Sequence, residues 1–115
     1  MEVAKRAKEE IPFIKAYAAV KFSGETIDSF SEEEINLEEL LKDISEVASR
    51  YLHIYRTLGE YSVGIPKEIL MSTTELFILV RLFYNEEVYQ VAVLTSDANL
   101  GYTRYVMYKY LEEIA

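Results

Sequence analysis

Without cysteine, chemistry in this 115-residue chain has to come from its one histidine, its carboxylates, its arginines and its tyrosines. His53 stands near Arg50 and Thr57 on the polar side of a helical pattern. A metal site or a catalytic triad needs partners for it, and there is neither a thiolate nor a second imidazole. His53 therefore reads as an ordinary helix residue near an interface. The run Glu32-Glu33-Glu34, with Glu38 and Glu39 close behind, has enough carboxylate for a cation. Calcium loops, however, alternate their ligands and place a glycine at the bend, so the run reads as a solvated helix start. No carboxylate pair stands out as a general acid–base couple, and no glycine-rich loop of Walker type is present. Asn99-Leu100-Gly101 opens a helix, and helix N-termini bind anions. With one glycine and no lysine, though, the segment reads as an N-cap (Asn99 or Asp97) with a glycine for close helix–strand approach. The expectation is no catalytic residue, no metal and no cofactor.

Two features point to surfaces instead. Nine acids and one base, Lys42, fall between Glu25 and Glu46, so this segment carries the whole net charge of −8. It is either a docking surface for a basic partner or a helix start whose acids favour the positive end of the helix dipole. The ten tyrosines are the second feature. Tyr51, Tyr55, Tyr102, Tyr105 and Tyr108 fall on predicted helices, and tyrosine suits a surface that is wet alone and dry in a complex. Partner surface and ordinary packing at a sheet rim both fit. Nucleic acid is not expected, because no basic stripe is visible.

The elements that must position these residues follow from periodicity. Residues 2–10 suit a short helix ended by Pro12. Ile14, Ala16, Ala18, Val20 and Phe22 alternate with Lys15, Tyr17, Ala19 and Lys21 as a strand whose first set is the drier face; Ser23-Gly24 turns, and Glu25 to Phe30 returns. Asn36, three positions before Glu39, caps a long helix in preference to Ser31. In that helix Leu37, Leu41, Ile44, Ala48, Tyr51, Tyr55 and Leu58 form one apolar line; Leu40, Val47 and Ile54 form a second. Three apolar positions per heptad are more than one neighbour requires. Glu38–Lys42 and Glu46–Arg50 are expected as i, i+4 pairs on its wet side, and Gly59 closes it. Lys67 to Thr73 is β-capable after Pro66, and Leu76 to Tyr84 is a strand. Asn85-Glu86-Glu87 makes a tip in which Asn tolerates the left-handed conformation. Val88 to Thr95, nearly all apolar, reads as a central strand covered on both faces. In the closing helix Leu100, Thr103, Met107, Tyr110 and Ile114 share a face.

The order is α-β-β-α-β-β-β-α, a five-stranded antiparallel sheet with helices, an α+β fold. One domain over residues 1–115 is expected, with no linker or repeat. The segment MEVAKRAKEE lacks the apolar stretch of a signal peptide. The apolar run Leu76–Val80 is cut by Arg81, far short of a membrane span. A soluble, cytoplasmic protein is the expectation.

Three stretches resemble the Roadblock family, the dynein light chain and Ragulator type of domain, over essentially the whole chain. They are Glu10 to Gly24 (helix exit, first strand and glycine turn), Glu68 to Glu75 (third strand), and Asp97-Ala-Asn-Leu-Gly-Tyr-Thr-Arg104. The last matches the family's closing N-L-G-x-x-R signature through Asn99, Leu100, Gly101 and Arg104. The resemblance implies a profilin-like Roadblock/longin sandwich, with the long middle helix on one sheet face and the terminal helices on the other. It also implies a homodimer, or a heterodimer with a paralogous Roadblock protein, in which third strands pair edge to edge and middle helices pack together. Leu40, Val47, Tyr51, Ile54 and Tyr55 on the helix, with Lys67, Ile69, Met71 and Thr73 on the strand, are the interface candidates. Because Pro66 cannot donate to a ladder, such pairing starts beyond it.

The function implied is a non-enzymatic interaction module that binds or regulates a small Ras-like GTPase, some family members stimulating hydrolysis by shaping the GTPase's own site. Glu38, Glu39, Asp43, Glu46 and Arg50 are the candidate partner surface. Arg50, Arg56 and Arg104 are arginine-finger candidates by residue type alone, and Arg104 reads rather as a structural part of the signature. The alternatives are a scaffold subunit of a larger complex without a GTPase and, less favoured, a small-ligand sensor.

Overall fold

The computed structural model describes residues 2–59 and 64–114. Its elements are α1 (Val3–Glu10), β1 (Ile14–Lys21), β2 (Thr26–Ser31), α2 (Leu37–Thr57), β3 (Glu68–Ser72), β4 (Leu76–Phe83), β5 (Val88–Thr95), α3 (Leu100–Lys109) and α4 (Leu111–Ile114). The strands form one antiparallel sheet in the order β2-β1-β5-β4-β3. β5 is the central strand and is buried along all but its last residue, as its unbroken apolar run requires. β2 and β3 are the two edges.

The sheet is covered on both sides. α2 lies on one face, where Ile44 packs with Ala18, Val20, Val80, Leu82, Tyr89 and Val91. On the other, Val3, Ala4 and Ala7 of α1 and Val106 and Met107 of α3 meet Tyr17, Ala19, Leu79, Ala92 and Leu94. β1 therefore has two dry faces rather than one: Tyr17 and Ala19 sit under the terminal helices while Ala18 and Val20 sit under α2. A tyrosine in an alternating pattern looked like the wet side, yet its ring is fully buried.

Local chemistry explains the boundaries. Asn36 accepts the Glu39 N–H at 3.1 Å and starts α2; Gly59, at φ 89°, ends it, a left-handed position where a Cβ is costly. Asp28 of β2 reaches across to cap α1, accepting the Ala4 N–H at 2.9 Å. In the β4–β5 turn the left-handed residue is Glu87, at φ 57°, and not Asn85. The expected single closing helix is two pieces, with Tyr110 between them. Tyr110, Leu111 and Ile114 all face the core. Lys42 pairs with Glu39 at 3.5 Å rather than with Glu38.

Candidate partner-binding surface

α2 is a 21-residue helix with one fully buried side chain, Ile44. Of its second apolar line, Leu40 leans onto the sheet cluster together with Tyr51. Val47 is 36% exposed and Ile54 55% exposed, with Leu58 beyond them. The second line therefore splits: Leu40 serves the sheet, whereas Val47 and Ile54 face outward. Tyr51 and Tyr55 of the first line are half-buried.

Beside this outer line runs β3, an edge of the sheet among the described residues. Ile69 and Met71 point to the α2 side and pack against its cluster, while Lys67 is exposed and its carbonyl accepts the Leu82 N–H at 2.9 Å. Thr73 lies just past the strand. Its Oγ1 accepts the N–H groups of Glu75 and Leu76 at 3.1 and 2.9 Å, which makes it a turn residue. Between α2 and β3 lies a groove of about 640 Å³ lined by Asp43, Glu46, Val47, Arg50, Tyr51, Ile54, Glu68 and Ile69. Residues assigned separately to a dimer interface and to a partner surface thus share one groove. Glu38 lies elsewhere, with Lys42, in the groove between α2 and β2, and the Glu39 carboxylate pairs with Lys42 at 3.5 Å on the exposed side of the helix.

The acidic loop before α2 is partly neutralised by Lys15, whose ammonium sits 3.0 Å from Glu32 and 2.8 Å from Glu34. The Lys15 hydrogen bond holds the Glu34 carboxyl down at about 2. His53 is exposed on α2. Among the described residues no group of three or more His, Cys, Asp or Glu side chains is arranged to hold a metal. Among them, too, no helix is long and apolar enough to cross a membrane.

The closing signature has a definite mechanical role. Asn99 accepts the Tyr102 N–H at 2.9 Å and caps α3, so Asn99 and not Asp97 is the cap. Arg104 donates Nε–H to Glu68 Oε1 at 2.7 Å and Nη2–H to Oε2 at 2.9 Å, and Arg81 donates to Oε1 at 2.6 Å. The Arg104 bonds come first, and Arg81 adds to them, in holding the Glu68 carboxyl below the usual carboxylate range. Arg104 ties the helix over the sheet to the edge strand.

Comparison with solved structures finds the same fold. "MglB with tetrameric arrangement" matches with a TM-score of 0.80 at 16% identity, over 99% of this chain and 83% of that one. The Roadblock/LC7 domain from Streptomyces avermitilis matches at 0.72 and 10% identity, over 97% and 91%. This is the Roadblock/LC7 fold. The gliding protein MglB of Thermus thermophilus has the same Roadblock architecture, with a TM-score of 0.77 at 16% identity over 99% of this chain and 84% of that one. No protein-family model matches the sequence, and the search of curated proteins gave no match.

Within the Roadblock fold, Gly101 does not serve a close helix–strand approach. It is exposed, and a Cβ there would meet only the Asn99 side chain, at 3.4 Å. The contact that does hold α3 down was not singled out in the sequence. Gln90, fully buried in β5, accepts the Tyr17 hydroxyl at 2.6 Å and donates to the Met107 carbonyl at 2.7 Å. The signal available was a lone glutamine inside a continuous apolar strand, since a buried amide is retained only with partners.

Proposed function

We propose that the chain is a dimeric interaction module that binds or regulates a small Ras-like GTPase, and that it works as a platform with no chemistry of its own. The observation that carries the dimer is the outward line of α2, Val47 and Ile54, lying alongside an unpaired strand edge with a groove between them. An apolar helix stripe is normally buried against another element, and here the sheet takes only half of it. A second copy presenting the same helix and edge would bury both at once, in an isologous contact. The GTPase comes from the resemblance to Roadblock proteins. Of the arginines, Arg104 is engaged by Glu68, which supports a structural role for it over that of a finger. Arg50 lies in the α2–β3 groove that the second copy would cover, which supports a role at the dimer contact over that of a finger for the GTPase.

Two measurements test this. Sedimentation should give a dimer at tens of micromolar, roughly the range where modest homodimers populate. Ile54→Glu should give a monomer with unchanged circular dichroism, since that side chain is already half in water. Ile69→Lys or Met71→Lys should dissociate the dimer too, but at some expense to the α2 packing they take part in. Pull-downs against Ras-like GTPases loaded with GDP or a GTP analogue should then select one nucleotide state. A wild-type monomer would end the dimer reading, and failure to retain any GTPase in either state would end the partner reading.

A further inference from the structure

The first half of α2 rests on the sheet through large side chains, Leu37, Leu40, Leu41 and Ile44. Its second half turns a different set towards the sheet. Ser45, Ala48, Ser49 and Leu52 stand at i, i+3, i+4 and i+7 and share one side of the helix. Three of the four are small, and Ala48 takes the place that Leu41 and Ile44 fill earlier in the same apolar line. Opposite them the sheet offers Leu82 and Tyr89, register partners on β4 and β5, both in the core on the α2 side. Small residues above and large ones below do not close the space, and a pocket of about 260 Å³ remains between helix and sheet. At its mouth Phe22 and Tyr84, the residues that follow β1 and β4, meet edge to face with ring centroids 5.6 Å apart. Both rings are partly exposed.

None of the residues lining this pocket is charged, in a chain of which 28% is. An ion entering it would give up its water with no countercharge to replace it. Apolar cavities of about 150 Å³ stay dry and take up benzene, and this one has room for a larger ring. Its aromatic walls favour a ring further, since aromatic pairs attract in stacked and T-shaped geometries. We propose that the pocket binds a small neutral aromatic molecule of one or two fused rings. The ring lies between Ala48 above and Leu82 and Tyr89 below, and a single polar group on it reaches the hydroxyl of Ser45 or Ser49. All the lining residues come from one copy and lie off the outward Val47–Ile54 line, so the site stands or falls independently of the dimer and of any GTPase.

The chain has no tryptophan, so indole serves as the probe and its own emission reports the complex. It should bind the wild type saturably, one per chain, with a dissociation constant of about 1 mM or below, a range open to a ligand of so few atoms. Indoleacetate, which adds a carboxylate to the same ring, should bind about tenfold more weakly. Ala48→Leu supplies the missing methylenes. It should abolish indole binding and raise the urea midpoint, because it fills a void. Were helix and sheet already in contact there, the same change would overpack them and lower the midpoint. Ser49 is exposed, and Ser49→Leu obstructs the roof at a position already in water. It should weaken indole by about tenfold with circular dichroism unchanged. No saturable binding to the folded wild type, equal affinity for indoleacetate, a lowered midpoint in Ala48→Leu, or full affinity in folded Ser49→Leu would each overturn the site.

Discussion

Gln90 shows how much one polar side chain can decide. It is the only glutamine in the chain, and its amide joins three elements: Tyr17 of β1, its own strand, and the Met107 carbonyl of α3. Burial pushes the Tyr17 phenol well above its usual range, with the nearby Tyr110 adding to the effect, so it remains a hydrogen-bond donor at any working pH. Tyr17→Phe should lower stability by about 1–3 kcal/mol, because Gln90 Oε1 is left dry and unpaired. Gln90→Leu should do more harm, stranding the phenol and removing the tie from β5 to the Met107 carbonyl, which retains the Tyr110 N–H. The double variant should cost less than the sum of the two, since both remove one shared bond. Urea midpoints measure all three, and strict additivity would show that the bond does not couple the sites. None of this was legible from alternation, which placed Tyr17 with the wet residues. Alternation reports which side chains share a face, and a second layer of helices dries both faces.

At the scale of elements, the Glu68–Arg104 bond connects the closing helix to the edge of the sheet. Because the native carboxyl of Glu68 titrates below its ordinary value, the unfolded chain takes up its proton first as the pH falls. The stability the bond contributes is complete above the usual carboxylate range, about pH 4.3. It is lost as the pH drops through the lowered native value. Arg104→Ala should therefore cost about 1–3 kcal/mol at pH 7 and show a shallower acid decline than the wild type. Thermal unfolding at pH 7, 5, 4 and 3 checks it, and parallel curves would rule the bond out as the cause. The elements themselves were largely readable. The Asn36 cap and the Gly59 stop bound α2, and the apolar run of β5 marked the centre of the sheet. The interruption at Tyr110 was not readable, because Met107, Tyr110, Leu111 and Ile114 share one face at helical spacing whether or not the helix is broken. Nor could spacing divide the α2 stripe between sheet and solvent, since Leu40, Val47 and Ile54 repeat alike and only the sheet's position separates them.

At the scale of the whole molecule, charge and topology act together. Two bodies of net charge −8 repel on approach, and salt screens that repulsion over a Debye length of about 10 Å at 0.1 M. Dimerisation should therefore tighten with salt: the dissociation constant should fall several-fold between about 20 and 300 mM NaCl, a range in which screening grows steeply. Sedimentation equilibrium at both limits decides it, and a weaker dimer at high salt would mean that ion pairs across the contact dominate. The charge is also unevenly shared between the two open borders of the sheet. The loops on either side of β2 carry Glu25, Glu32, Glu33 and Glu34, and Asp28 of the strand is committed to capping α1. At β3 the one acid on the strand, Glu68, is neutralised by two arginines. A protein with two equally adhesive borders is a bifunctional monomer, able to add units at both ends without limit. If the proposed dimer forms through β3, the acidic β2 border is the terminator that stops association after one coupling.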